Sequence, residues 1–192
     1  MMKTNLSAIN SPTKITITTA QSIGNNVNLT FTSNKYYLFG TQQPLLTLYR
    51  GNTYIFEHPH NHNVGFSTTS DGTHTADGTN YTTGVTDSTT QTQSTNNGAV
   101  SSSTSVTLSA ANTDIKVGQK VTGVGISGDV VVSAISGTSL TLDTAVSISN
   151  GTTLTFTSYF TTFAVAENTP ESMFYYCRVH RGMGGVATVL TS

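Results

Sequence analysis

Three features of this 192-residue sequence predict an all-β fold. Apolar and polar residues alternate with a period of two in segment after segment, and no stretch repeats with the 3.6-residue period of an amphipathic helix. Threonine supplies about a fifth of the chain, well above ordinary usage, and its β-branched, hydroxyl-bearing side chain suits the solvent face of a half-buried strand. Only 9% of residues are charged and the net charge is −1, so hydroxyls and amides take the solvating role that charge usually fills. That balance leaves no basic footprint for nucleic acid.

Taken from the N-terminus, residues 14–18 and 27–31 alternate cleanly and predict two strands of an N-terminal β extension, residues 1–34. Residues 35–39, 44–49 and 53–56 predict three more, with Arg50-Gly51-Asn52 turning the chain between the last two. After a long interruption, residues 161–165, 173–177 and 186–190 predict a closing group, and Pro170-Glu171-Ser172 makes a corner before residue 173. The interruption itself, residues 91–157, is rich in Ser, Thr, Gly and Asn and has no aromatic residue before Phe156. Five short segments within it, 105–108, 120–122, 130–135, 139–142 and 153–156, are spaced by turn signals, which predicts a small β-barrel or sandwich inserted in a host loop. The valine runs argue against a disordered linker, and the polar residues 87–97 read as a tether into the module. The expected organisation is therefore an extension (1–34), a discontinuous host domain (35–90 and 158–192) and an inserted module (91–157).

The chemistry concentrates near the C-terminus. Cys177, the single cysteine, is followed by His180 and Met183, which puts a thiol, an imidazole and a thioether within seven residues. Soft sulfur donors with imidazole select copper, and one Cys with two His and a weak axial Met is a blue-copper donor set. A second histidine would come from His58, His60 or His62, all just beyond the strand predicted at 53–56.

The order His62-Asn63-Val64, together with Cys177-x-x-His180-x-x-Met183, resembles the ligand loops of cupredoxins of the plastocyanin and amicyanin type. That resemblance implies a Greek-key β-sandwich in which His62, Cys177, His180 and Met183 ligate copper, and Asn63 holds the two loops together by backbone hydrogen bonds. His58 and His60 are then expected as solvated loop residues and His74 as a turn residue. The 115 positions between His62 and Cys177 depart from the compact cupredoxin plan and leave room for the inserted module.

A second resemblance covers residues 66–74, 80–86 and 175–185, which look like a module repeated in virion proteins of marine tailed bacteriophages; residues 117–128 are similar to β modules of phage tail and fibre proteins. It implies a virion structural component, such as a head decoration, fibre or other appendage. Such a protein would be made in the host cytoplasm without a signal peptide, contact other virion proteins and assemble as a homo-oligomer. The opening residues 1–10 lack the apolar run of a signal peptide, and no stretch approaches the roughly 20 apolar residues of a membrane helix. The alternatives are a blue-copper electron carrier and a module that holds glycans on a host surface. No Gly-x-Ser-x-Gly elbow occurs, the glycine-rich residues 123–128 lack the lysine of a phosphate loop, and no carboxylates pair by periodicity, so no enzyme is expected.

Overall fold

The computed structural model describes residues 4–5, 13–19, 35–38 and 41–191. Their regular structure is almost entirely β, in fifteen strands, with one turn of 3-10 helix at Gly72–His74. The chain divides into two compact units, Met1–Ser88 with Phe160–Ser192, and Thr89–Tyr159.

The first unit holds β1 (Thr4–Asn5), β2 (Thr13–Thr19), β3 (Tyr36–Leu38), β4 (Thr41–Gln42), β5 (Leu46–Tyr49), β6 (Thr53–His58), β7 (Val64–Ser67), β14 (Ser172–Cys177) and β15 (Gly185–Leu190). One sheet runs β1-β5-β15-β14-β7, and β4, β3, β2 and β6 succeed one another in a second. Alternation decides which side chains meet between them. Met173, Tyr175 and Cys177 of β14, Ala187 and Val189 of β15, and Val64 and Phe66 of β7 all point inward. They share one buried cluster with Leu38, Tyr54 and Phe56 from the second sheet. Phe66 packs on Phe56 edge-on at 5.2 Å between ring centroids and on Phe163 at 4.4 Å. This unit is an all-β sandwich, in agreement with the fold class the sequence predicts.

The second unit is built from β9 (Val100–Thr107), β10 (Lys120–Thr122), β11 (Val130–Ser136) and β12 (Ser139–Ile148), with parts of β8 (Val85–Thr95) and β13 (Thr153–Ala164). The chain passes between units within β8 and returns within β13. Pairings run β8-β13-β10-β11-β12-β9. An isolated bridge from Leu108, just past β9, to Asn96, just past β8, closes the circuit. Such closure leaves few open strand edges. Val106, Val121, Val132, Leu140, Leu142, Leu154 and Phe156 fill its interior.

Three expectations change. Residues 13–19 are not an appended extension: β2 lies between β3 and β6, parallel to the latter with Thr13 opposite Tyr54. The strand expected at 27–31 falls outside the described residues. The polar tether is itself strand β8, because its backbone pairs with β13 while its hydroxyls and amides face water. The segments 153–156 and 161–165 are largely one twelve-residue strand, β13. Hydroxyl-rich sequence hides a strand from pattern reading, since neither face presents the apolar half of the alternation.

Replacing Leu140, which is fully buried in the second unit, by alanine is expected to cost about 2–5 kcal/mol through lost burial and a residual cavity. Urea unfolding should show it as a lower midpoint at unchanged slope.

Candidate metal centre

The centre is assembled by one strand pairing. β14 lies antiparallel to β7 with Tyr175 opposite Phe66 and Cys177 opposite Val64. Cys177 shares its face with Met173 and Tyr175, and that parity sends its sulfur into the core, where it is fully buried. Beyond the last pair the Arg178 N–H donates to the Asn63 carbonyl at 2.8 Å. Continuing the same register backwards along one chain and forwards along the other carries His62 alongside residues 179 and 180. One ligand atom from each of His62, Cys177 and His180 lies within 4.8 Å of the others. The two imidazoles face each other with centroids 4.7 Å apart, tilted by 34°. His180 also approaches the sulfur through its backbone N–H, at 3.4 Å, and through Nδ1, at 3.8 Å. Met183 is fully buried in the same cluster as Cys177.

The loop from Cys177 to Gly184 is fixed from several sides. His74 Nε2 donates to the Cys177 carbonyl at 2.8 Å, and the Gly182 N–H donates to Asp71 Oδ1 at 2.9 Å. The Arg181 guanidinium bonds the His74 carbonyl, the Lys35 ammonium bonds the Gly182 carbonyl, and the Gln43 amide reaches the carbonyls of Gly182 and Gly184. Gly182 turns the chain at φ +70, and Asp71 holds φ 58. Gly184 is required for space, since a Cβ there would lie 1.8 Å from the Tyr175 carbonyl oxygen.

Arg178 carries the clamp outward. Its Nε donates to the Val64 carbonyl at 3.0 Å and its Nη2 to Asp87 Oδ1 at 2.6 Å. The Thr161 hydroxyl donates to the same carboxylate at 2.8 Å and lies 3.3 Å from His58 Nε2. Partial burial alone would raise the pKa of Asp87. The hydrogen bonds from Arg178 and Thr161 and the Arg178 charge override it and hold the carboxyl below its ordinary value.

His62 Nδ1 is buried and has no hydrogen-bond partner. A buried ring nitrogen without a partner is costly to leave. Burial first, then the neighbouring His180, His58 and His60, lower its pKa to about 4, which keeps the ring neutral and its lone pair free at ordinary pH. Three atoms no more than 4.8 Å apart have a common point within about 2.8 Å of each. A contraction of under about 1 Å would reach metal–nitrogen and metal–sulfur bond lengths. The donor set therefore fits a small soft cation.

Of the sequence-predicted residues, His62, Cys177 and His180 come together, Asn63 makes the inter-loop backbone bond, and Met183 shares the core with the cysteine. One expectation is corrected: His58 is only 4% exposed. It ends β6 with Nδ1 donating to the Pro59 carbonyl at 3.1 Å, because the strand runs two residues past the predicted stop. His60 is half-buried. His74 does sit in a turn, yet its ring holds the ligand strand, and nothing local in the sequence announces that. Tyr36, read only as a strand residue, donates through its hydroxyl to the His62 carbonyl at 2.5 Å. Comparison with protein families and with curated protein sequences finds no match.

Two predictions follow from this geometry. His62 takes up its proton near pH 6.5 when unfolded and near pH 4 when folded, so the unfolded state binds more protons between those values and stability falls as pH drops through that window. Burial also lowers His58 and steepens the same slope. Urea midpoints of the metal-free protein between pH 7.5 and 4 should fall, and His62→Gln should flatten part of the fall; an unchanged slope in the variant contradicts the assignment. Gly184→Ala drives a methyl into backbone and is expected to lower the melting temperature more than Gly182→Ala, where an unfavourable φ costs about 1–2 kcal/mol.

Proposed function

We propose that this chain carries a cupredoxin-like copper centre and serves as a structural component of a tailed-bacteriophage virion. The observation that carries the metal half of the reading is the convergence of His62, Cys177 and His180 on one point, with the buried Nδ1 of His62 left without a partner. A thiolate and two imidazoles, with a thioether buried in the same core, suit copper better than hard cations, which prefer oxygen. His62 and His180 would bind through imidazole nitrogen, Cys177 as thiolate, and Met183 as a weak fourth donor. Bound copper would supply one-electron redox chemistry and a cross-link between the two loops. What this chain's residues do is hold the donors close together, keep His62 neutral and shield the sulfur from water.

The particle role is supported by the resemblance of residues 66–74, 80–86 and 175–185 to phage virion modules. It also accords with an architecture in which a ring-closed β unit is carried between two strands of a sandwich. Its contacts would be other virion proteins and further copies of the chain. The exposure of His180 favours a second reading, electron transfer, because only one imidazole would then separate the ion from solvent.

Cupric ion added to the purified protein should produce an intense visible band that disappears in Cys177→Ser; no band in a folded parent sinks the copper centre. Metal at about 100 times its dissociation constant should stabilise the fold by about 2.7 kcal/mol, read as a rise in melting temperature that a chelator reverses. Peptide mass spectrometry of purified particles should find the chain in them, and its absence sinks the virion role independently of the metal.

A further inference from the structure

Tyr36 is hydrogen-bonded to two of the four residues assigned to the centre and shares a buried cluster with a third. Its hydroxyl donates to the His62 carbonyl at 2.5 Å, and its backbone N–H donates to the Met183 carbonyl at 2.8 Å. Cys177 shares its buried cluster, and after burial the nearby Cys177 is the strongest influence raising the pKa of the phenol well above its ordinary value. The ring is fully buried and stacks on Tyr175 at 6.4 Å and 28°. Tyr175 does not duplicate this role, because its own hydroxyl is committed to the Pro44 carbonyl at 2.7 Å.

A buried hydroxyl is costly unless it is bonded, and phenylalanine would fill the same volume without that cost. The hydroxyl is therefore informative. Its single proton goes to the His62 carbonyl, and the Cys177 sulfur lies nearby in the same cluster as an alternative acceptor. Sulfur accepts poorly as a thiol and well as a thiolate, since hydrogen bonds to ionised acceptors are stronger. The carbonyl bond also fixes the backbone from which the His62 ring projects.

We infer that Tyr36 is a positioning residue of the metal centre, its hydroxyl setting His62 against the Cys177 sulfur and tempering that sulfur's electron donation to a bound ion. The inference rests on the copper reading above and deepens it. Losing the hydroxyl frees the His62 backbone and removes a hydrogen-bond donor from beside the thiolate. Partners of this kind typically change metal affinity by about 10–100-fold.

The test is Tyr36→Phe in the full chain, titrated with cupric ion against a chelator, with the thiolate-to-copper band recorded on the same samples. The expected result is a fold unchanged by circular dichroism, binding at least about tenfold weaker, and a band moved to lower energy, because a thiolate without its donor gives up charge more readily. A role in packing alone would leave the band energy where it is. Parent-like affinity and band energy in the variant overturn the inference and leave the copper centre standing, whereas a parent without a band removes the centre and the inference together. Should Tyr36→Phe fail to fold, the buried hydroxyl proton of Tyr36 in the parent can be followed by NMR as zinc, which is diamagnetic, is added. A shift on loading supports the inference, and an unmoved resonance overturns it.

Discussion

The pairing of Cys177 with Val64 in the β14–β7 ladder is the constraint on which the centre depends. Side chains alternate faces along a strand, so a slip of one residue would turn Met173, Tyr175 and Cys177 out of the core and carry His62 away from His180. The register is held by burial of those three side chains with Val64 and Phe66, and it is extended past the strand ends by the Arg178 to Asn63 backbone bond. Core packing and site geometry are thus the same constraint.

Around that ladder the polar contacts share a design. Carbonyls of the 177–184 loop are bonded by His74, Lys35 and Gln43, and the 62–64 carbonyls by Tyr36 and Arg178. Binding these carbonyls from outside lets the His62 ring project without a competing partner. The orphaned Nδ1 of His62 is the clearest result. The Cys177 sulfur keeps only the weak contacts from His180, while the backbone that carries the ligands is tied into the hydrogen-bond network, and that division keeps a loop stiff and its donors available.

The second unit solves a different problem. Its chain is poor in charge and rich in hydroxyls, and its strands would offer edges to neighbouring copies if they lay open. Closing the circuit through Asn96 and Leu108 removes most of that liability. The Asn96 side chain assists: its Oδ1 accepts from the Thr152 N–H at 2.6 Å and its amide donates to the Gly98 carbonyl at 2.7 Å.

Sequence by itself determined the all-β class, most strand positions and the grouping of Cys177, His180 and Met183, because each of these is local. Period-two alternation reports a buried face directly, and three donors within seven residues must share a loop. It also singled out His62, through the neighbouring Asn63 and Val64. Only the tertiary structure decided that His58 is buried, that His74 bonds the Cys177 carbonyl, that Tyr36 bonds the His62 carbonyl, and that a polar tether is strand β8. In each case the deciding partner lies far along the chain, 103 residues from His74 to Cys177 and 26 from Tyr36 to His62. Hydrogen bonds across such separations follow from sheet order and register, which local patterning does not encode.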